Sequence, residues 1–360
     1  MKVVYVSLMN SDDQIGAAWR IDTPLKAIIR TGLHQAAKLS LEEFVHNTAN
    51  AQETCMDADV IVIHRRLVGP VLTAIQRWKA YDKKIFLDMD LSLSHLTPEM
   101  DSYDFWNRGV MNADSLECLF GGQPIMPLPT EQLEWGLRML TGVSTSSRRL
   151  ADDLSNYTQS FYLPSFVELD QFRNQTPMAH EGILIGLGTD GNHLPGILES
   201  GVLDALSMVC RKRPQVRVVI TGGDQRIYDH LAVPASQKLL WPWVKQEDWP
   251  RYLSRVDIGL APLAGEFDQR RGWERVMEYL VMKIPWVASE GSPYRVVGRY
   301  GRLVNNQPDS WEKNLLEIVD HLDEYRADAA GEPYLFALSQ DIDENINKIL
   351  MAYQTLDSVQ

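Results

Sequence analysis

Two arginines and a glycine stand directly before an amphipathic helical pattern in the second half of the chain, as Arg270-Arg271-Gly272. The apolar residues that follow recur at helical spacing and form one face: Trp273, Val276, Met277, Leu280 and Val281. The beginning of a helix offers unpaired N–H groups and the positive end of its dipole, and arginine adds matching charge, so this basic segment suits a diphosphate. Glu278, on the flank of the same helix, is placed to accept hydrogen bonds from two hydroxyls of a pentose. The alternative is a surface helix whose Glu274 and Glu278 are only solvated.

A glycine loop follows an apolar run earlier in this half, from Ile185 to His193, and contains Gly186, Gly188 and Gly191. It satisfies the pattern Gly-x-Gly-x-x-Gly, which predicts dinucleotide binding when it opens the first βαβ unit of a fold. Three features argue against that interpretation. The match lies mid-chain, Pro195-Gly196 delays the next helix, and no strand about 20 residues later ends in an acidic residue. The glycines still allow the backbone to approach a phosphate or a sugar closely.

Two other strand ends carry residues that suit binding or catalysis. Thr221-Gly222-Gly223-Asp224 ends one apolar run, and paired glycines there indicate a turn that is closely approached by a ligand or by another part of the chain. Asp88-Met89-Asp90 ends another, where carboxylates at the carboxyl end of a parallel strand face the crevice of the sheet. An Asp-x-Asp pair is able to chelate Mg²⁺ or Mn²⁺, to take a proton from a hydroxyl, or to cap the next segment.

Short apolar runs alternate with amphipathic stretches along the chain, which is typical of βαβ units whose parallel sheets are covered on both faces. The predicted strands are residues 3–8, 60–63, 85–87 and 142–144 in the first half, and 182–185, 216–220, 257–260 and 285–288 in the second. Helical spacing predicts helices at 71–81, 198–210, 247–253, 273–283 and 342–353. We therefore expect two α/β domains, residues 1–167 and 168–341, with a polar linker at 168–181.

Composition narrows the function classes. With 360 residues, of which 45% are hydrophobic, the chain is long enough for two packed cores. Its 35 Lys and Arg against 48 Asp and Glu give a net charge of -13, which disfavours general nucleic-acid binding. Cys55, Cys118 and Cys210 lack the spacing of a disulfide framework or a zinc site. Since no apolar run reaches the ~18 residues that span a bilayer, and the N-terminus has the pattern of a strand rather than of a signal peptide, we expect a cytoplasmic protein.

The region around the basic segment resembles the donor-binding region of family-4-like retaining glycosyltransferases. The resembling residues are a strand that leads into Ala261-Pro262-Leu263, the basic segment itself, Glu278-Tyr279, and Ile284-Pro285-Trp286-Val287-Ala288-Ser289. In that family a Glu-x7-Glu motif places its second Glu on the ribose, which corresponds to Glu278, and its first near the donor sugar. Arg270 occupies the first position here, so the chain departs from the motif. The resemblance extends more loosely over residues 182–311, and in outline over the whole chain.

This resemblance implies the α/β fold called GT-B, in which two Rossmann-like domains face each other across a cleft and a terminal helix, here about 342–360, packs back onto the first domain. It implies transfer of a sugar from a UDP- or GDP-sugar to a hydroxyl acceptor, with retention, without metal and without a tightly bound cofactor. The acceptor would be a saccharide, a lipid-linked sugar, a small molecule or modified DNA. Asp88 or Asp90 would orient the acceptor hydroxyl or receive its proton. The candidate donor contacts are then Gly16, Arg20, Gly188, Thr189, His193, Gly222, Trp243, Val244, Arg270, Arg271, Gly272 and Glu278.

Three other functions fit part of these observations. An NAD(P)-dependent oxidoreductase would use the glycine loop for its dinucleotide. A GT-B-like binding protein without activity would explain Arg270 at the position of the first motif Glu. A phage-type transferase that glycosylates modified DNA bases would require a basic groove. The candidate arginines for such a groove are Arg65, Arg66, Arg108, Arg148 and Arg149.

Overall fold

Two parallel β-sheets of six strands each form the framework of the chain. The computed structural model describes residues 1–8, 14–110, 125–173, 175, 179–189 and 192–354. The strands of the first sheet are β1 (Lys2–Ser7), β2 (Gln35–Ser40), β3 (Val60–His64), β4 (Lys84–Asp88), β5 (Gly142–Thr145) and β6 (Ser160–Tyr162). The strands of the second sheet are β7 (Ile183–Gly188), β8 (Val216–Thr221), β9 (Lys238–Trp241), β10 (Ile258–Ala261), β11 (Trp286–Ser289) and β12 (Arg302–Val304).

Helices connect the strands and cover both sheets. In the first half they are α1 (Gln14–Ala17), a π-helical turn (Ala18–Asp22), α2 (Thr23–Arg30), α3 (Leu41–His46), α4 (Ala49–Met56), α5 (Pro70–Lys79), α6 (Tyr103–Arg108), α7 (Pro129–Leu137) and α8 (Arg148–Leu154). In the second half they are α9 (Leu194–Glu199), α10 (Val202–Lys212), α11 (Gln225–His230), α12 (Trp249–Leu253), α13 (Gly265–Asp268), α14 (Glu274–Val281), α15 (Ser292–Arg295), α16 (Pro308–Asp320), α17 (Leu322–Ala329), α18 (Glu332–Leu338) and α19 (Ile342–Gln354). Short 3-10 turns lie at Leu93–His95, Leu169–Gln171, Ala235–Gln237 and Gly298–Tyr300.

The strand order is β2-β1-β3-β4-β5-β6 in the first sheet and β12-β11-β10-β7-β8-β9 in the second. The eight predicted strands are all present, four in each sheet. The strands β3, β10 and β11 are buried at every position. Continuous apolar runs form such strands because helices cover a parallel sheet on both faces and leave no face for polar side chains.

The helix expected at residues 198–210 is wrong in its extent, because two helices cover this region. The first, α9, ends at Glu199, and the second, α10, begins at Val202 after Gly201, whose φ is +75°. The prediction that Pro195-Gly196 delays the helix is also wrong. The proline lies in the first turn of α9, where its missing N–H would have no partner in the helix anyway.

The C-terminal helix α19 packs on the first sheet. Its Ile346, Ile349 and Leu350 share a buried hydrophobic cluster with Val3 of β1 and neighbouring residues. The Tyr353 ring of α19 lies against the Phe86 ring of β4, with 5.2 Å between the ring centroids. The last described helix therefore packs against the first strand, although all strands of the second sheet lie between them in the sequence.

Candidate functional site

Loops at the carboxyl ends of the two sheets meet across a crevice. Ser165, after β6, donates a hydrogen bond from Oγ to Glu274 Oε1 on α14 at 2.6 Å. The backbone N–H of Ser102, after β4, donates to Asn192 Oδ1 after β7 at 3.0 Å. In a doubly wound sheet, ligands bind outside the carboxyl ends of the strands. The crevice between these loops is therefore the candidate site.

The two N-terminal candidates Arg20 and Asp88 form a buried ion pair. Arg20 Nε and Nη2 donate to the two carboxylate oxygens of Asp88 at 2.8 and 2.7 Å. Ser144 Oγ donates to Asp88 Oδ2 at 2.6 Å, and Arg20 Nη1 also donates to the carbonyl of Leu163 at 2.6 Å. Asp88 is 1% exposed and Arg20 is 4% exposed. Both residues hold the loop after β1 against the sheet, and in this conformation the carboxylate faces Arg20 rather than the crevice.

A second ion pair joins Asp90 to Arg65, the residue after β3. Arg65 Nε and Nη2 each donate to a carboxylate oxygen of Asp90 at 2.5 Å. Burial alone would raise the pKa of Asp90, but the Arg65 guanidinium holds it well below its usual range. Gly16 lies directly against the guanidinium of Arg65, which explains the absence of a side chain there. The Asp90 side chain is 12% exposed, so it is the more accessible of the two candidate carboxylates.

On the other side of the crevice, Glu278 lies on α14 and is only 6% exposed. Burial raises its pKa to about 7, although the charge of Arg275 and the polar N–H groups of the neighbouring Trp249 and Trp19 side chains lower it. Trp249 belongs to α12, in the same half as Glu278, whereas Trp19 comes from the opposite half. The Glu278 carboxyl therefore lies near one cation, Arg275, and one further carboxyl, Glu274, on the same helix.

Arg275 is a site residue that the sequence patterns did not single out. It precedes Glu278 by three positions on α14, so the two side chains share a face of the helix. A Cβ at Gly188, the end of β7, would collide with the Arg275 guanidinium. Gly188 is therefore required for the close approach of this cation. The spacing of three residues from Glu278 is the signal in the sequence that would have identified it.

Thr189 and Gly222 meet where β7 and β8 end. Thr189 Oγ1 donates to the carbonyl of Thr221 at 2.8 Å, and its N–H donates to the same carbonyl at 3.0 Å. Gly222 has a φ of +99°, and a Cβ on it would collide with the carbonyl oxygen of Thr189. The structure therefore brings these two candidates together. The group that approaches Gly222 closely is the carbonyl of Thr189.

The basic segment does not stand free at the beginning of α14. Arg270 is 7% exposed and pairs with Asp153 of α8, and its Nη1 also donates to Glu266 Oε2 at 2.6 Å. The Arg271 guanidinium lies over the Phe267 ring, 5.9 Å from its centroid. Gly272 lies against the carboxylate of Glu274. Arg270 thus joins the two halves of the chain. The Glu274 carboxylate lies beside Gly272, where the diphosphate was expected.

The remaining candidates lie around the ends of the second sheet. Trp243 follows β9 and is 45% exposed, and Val244 beside it is half-buried. The backbone N of Trp243 lies 3.7 Å from the position that a Cβ of Gly223 would take. His193 is the N-cap residue of α9, without a side-chain capping hydrogen bond to the helix. Asp190 and Gly191 of the glycine loop lie outside the described residues.

The five arginines proposed for a DNA groove each contact a carboxylate or an aromatic ring. Arg65 pairs with Asp90, and Arg149 donates to Glu266 across the crevice at 2.6 Å. The other three lie over aromatic rings: Arg66 over Phe105 and Trp106, Arg108 over Tyr103, and Arg148 over Tyr162. These contacts do not favour binding of a DNA backbone.

The buried Glu278 carboxylate should make stability depend on pH. A pKa that is raised on folding, here from 4.5 to about 7, contributes stability below pH 4.5 that is lost as the pH rises through about 7. We expect the free energy of unfolding of the wild type, relative to Glu278→Gln, to fall by about 3 kcal/mol between pH ~4.5 and pH ~8. Chemical denaturation of both proteins across that range measures the difference. A difference that does not vary with pH would show that the carboxylate is solvated.

No protein-family model and no curated protein sequence matches the chain, but solved structures match it along its whole length. HepE from Anabaena, in complex with UDP and glucose, matches with a TM-score of 0.65 and 12% identity, over 100% of both chains. Sucrose-phosphate synthase from Thermosynechococcus elongatus matches with a TM-score of 0.64 and 10% identity, also over 100% of both chains. Trehalose-6-phosphate synthase (OtsA) matches with a TM-score of 0.61 and 13% identity, over 98% of this chain and 99% of its own. The chain has the GT-B fold.

The expected fold class is thereby confirmed, and the crevice described above is the cleft between the halves of the GT-B fold. None of the described helices combines the length and the apolar character needed to cross a membrane. Over the same described ranges, the structure contains no group of three or more His, Cys, Asp or Glu side chains placed to hold a metal ion.

The GT-B fold also changes the argument about the glycine loop. The loop opens the first βαβ unit of the second sheet, from β7 through α9 and α10 to β8, so its mid-chain position no longer argues against a dinucleotide. The third objection holds, since β8 ends at Thr221 and the nearby Asp224 accepts the N–H of Arg226 as the N-cap of α11. The Arg275 guanidinium lies against Gly188, where β7 ends and the glycine loop continues.

Proposed function

We propose that the protein transfers a sugar from a nucleoside-diphosphate sugar to a hydroxyl acceptor. The observation that carries this proposal is that Arg275 and Glu278 share one face of α14 at the cleft, with the Arg275 guanidinium against Gly188. A cation beside a glycine at a strand end suits a diphosphate, and a carboxylate one helical turn away suits the two hydroxyls of a ribose. UDP in the structure of HepE supports a uridine nucleotide as the first choice of donor.

In this proposal residues 1–167 form the acceptor domain and residues 168–341 the donor domain, with the terminal helix returning to the first. Arg275, with Gly188, Thr189 and His193, surrounds the diphosphate. Trp243 is exposed and flat, so it offers a stacking surface for the nucleobase, with Val244 at its edge. Arg270, Arg271 and Gly272 form the rim of the cleft. Asp90, on the acceptor side, orients the hydroxyl that attacks.

Stabilisation of the leaving group supplies most of the catalysis in this mechanism. The bond between the anomeric carbon and the diphosphate oxygen breaks, the acceptor oxygen bonds to that carbon, and the hydroxyl proton leaves to the diphosphate or to a carboxylate. Negative charge grows on the diphosphate as the bond breaks, and a fixed guanidinium in a water-excluded cleft stabilises that charge. We propose retention at the anomeric carbon and no metal, with Arg275 in the place of a divalent cation.

A donor screen with the purified protein tests the proposal. UDP- and GDP-sugars are incubated with the enzyme and release of nucleoside diphosphate is measured, first without an acceptor and then with saccharide and lipid-linked acceptors. We expect slow release from one donor alone and faster release with the correct acceptor. A rise in melting temperature with NAD but with no sugar nucleotide would overturn the proposal in favour of an oxidoreductase.

Replacing Arg275 with glutamine should weaken UDP binding by about 10- to 100-fold, because a charge-assisted contact to the diphosphate contributes ~1.5–3 kcal/mol. Isothermal titration with UDP measures the loss. Arg302→Gln is the matched control, because Arg302 lies at the amino end of the edge strand β12, away from the carboxyl ends that line the cleft, and pairs with Glu317 at 3.1 Å. Equal affinity in the two variants would remove Arg275 from the donor site.

A further inference from the structure

A cavity of about 710 Å³ lies at the amino ends of three adjacent strands of the second sheet. Its lining includes Gly182 before β7, Asp257 before β10 and Pro285 before β11, and β10 lies between the other two strands. Residues of α17 and α18 complete the walls, among them Arg326 and Tyr334. The cleft is at the carboxyl ends of the same strands, so the cavity is at the opposite end of the sheet. Its volume is in the range of small-molecule sites.

One wall of this cavity is built around the buried carboxylate of Asp257. Its Oδ2 accepts the backbone N–H of Leu184 in β7 at 2.7 Å, and its Oδ1 accepts a hydrogen bond from Arg326 Nη2 on α17. His180 Nε2 lies 3.4 Å from Asp257 Oδ2. One carboxylate thus connects α17 and the segment before β7 to the sheet. The wall is therefore formed by groups that hold each other in place.

The second ring nitrogen of His180 has an unused hydrogen-bonding capacity. Its Nδ1 is buried and has no hydrogen-bond partner among the described residues. Buried polar atoms of side chains normally have one. A neutral ring that carries its proton on Nε2, toward Asp257, has an acceptor at Nδ1. That nitrogen therefore suits a hydroxyl or an N–H group of a ligand in the cavity.

Lys283 supplies a positive charge to the same cavity. It lies in the turn between α14 and β11 with a φ of +58°, a backbone conformation that favours glycine, so a lysine is unexpected there. Its Nζ lies over the Tyr334 ring, 4.2 Å from the centroid. Arg173 and Arg326, the two arginines of the lining, each pair with a carboxylate. Lys283 forms no ion pair with the carboxylates of the described ranges, so its charge is available to an anion.

We propose that this cavity is a second binding site, for a small organic anion whose charged group contacts Lys283 and whose apolar ring lies against the buried side chains of the lining. Those side chains are Phe172, Val256 and Ile284. A hydroxyl or N–H of the ligand donates to His180. Lys283 and His180 precede the two strands that flank β10, so a ligand that reaches both spans roughly 10 Å. The site does not depend on the proposed function, because it shares no residue with the cleft.

Anilinonaphthalene sulfonate is a suitable probe, because it combines an anionic group, aromatic rings and an N–H, and its fluorescence rises when it leaves water. Titration of the full chain with this probe gives its Kd. Lys283→Gln should raise that Kd by about 5- to 10-fold, since a charge-assisted contact is lost at a partly solvated place. Lys348→Gln is the matched control, because Lys348 is also an exposed lysine over an aromatic ring, that of Phe166, at 5.6 Å. An equal Kd in wild type and Lys283→Gln, or no saturable rise in fluorescence, would overturn the proposal.

Hydrogen exchange of the wild-type protein locates the bound probe without any variant. Peptides that cover residues 179–187 and 281–287 should exchange more slowly with the probe at saturation, because these segments line the cavity. Peptides that cover residues 14–25, at the cleft, should be unchanged. Slower exchange at the cleft, or no change at residues 179–187 and 281–287, would show that the probe binds elsewhere and would overturn the proposal.

Discussion

Replacing Glu278 with glutamine should lower kcat/KM for the sugar nucleotide by about 100-fold. Glutamine fills the same volume in this buried place, but it loses the charge, and its amide has one acceptor oxygen where the carboxylate has two. In the proposed donor site, two charge-assisted hydrogen bonds to the ribose are then weakened, at a combined cost of ~3 kcal/mol. Each ~1.4 kcal/mol is a factor of ten. Initial rates of nucleoside diphosphate release, measured at several donor concentrations, give the value.

The control for this variant is Glu317→Gln on α16, where the carboxylate is 45% exposed and pairs with Arg302. It should leave kcat/KM unchanged. The wild type should also bind the donor more tightly as the pH rises through about 7, since the Glu278 carboxylate is protonated below its pKa of about 7. The glutamine variant should lose that pH dependence. If the kinetics of Glu278→Gln equal those of the control, Glu278 does not bind the pentose of the donor.

The four strands that the sequence did not predict are the four edges of the two sheets. β2 and β6 border the first sheet, and β12 and β9 border the second. The strands inside each sheet are covered on both faces, so most of their residues are apolar and appear as runs, although β5 contains Ser144 and β8 contains Arg217. An edge strand has one free side and tolerates polar residues, as in Gln35–Ser40, where only Leu39 is buried. The sequence pattern therefore reports burial, and it detects the strands in which most positions are buried.

The sequence predicts the candidate site residues that lie on one helix or one turn, but not the pairs that join different loops. Glu278 and the strand-end glycines follow from local patterns, because a helix face or a turn fixes their surroundings. The contacts of Arg20 with Asp88, and of Arg65 with Asp90, join loops that follow different strands. No local spacing encodes such pairs. The same holds for Arg270, whose charge suggests an anion site but is taken up by Asp153 on the opposite half.

Asp88→Asn should be the most destabilising single change considered, with a loss of about 3–5 kcal/mol in the free energy of unfolding. It leaves the Arg20 guanidinium, 4% exposed, without its counter-charge in a place that water does not reach. Asp320→Asn is the control, because Arg213 pairs with Asp320 in the same two-pronged geometry, with both distances at 2.6 Å, but on the surface. Solvent screens that pair, so its loss should have a much smaller effect. Denaturation curves of the two variants measure the contrast, and equal effects would contradict burial of the Arg20 pair.

A double variant, compared with Asp88→Asn, tests whether the Arg20–Asp88 pair has a role in catalysis. Ser165 accepts a hydrogen bond from Arg20 at 3.3 Å and donates one to Glu274 at 2.6 Å, so the ion pair is connected to the helix that carries Glu278. If Asp88 only holds this frame, the double variant Arg20→Met with Asp88→Leu should recover much of the lost stability, since apolar residues of similar size replace a buried pair well. Activity should return with stability. Recovery of the fold with kcat still reduced by more than about 100-fold would instead show that the pair acts in the reaction, through the Asp88 carboxylate as a general base or through Arg20 as a donor contact.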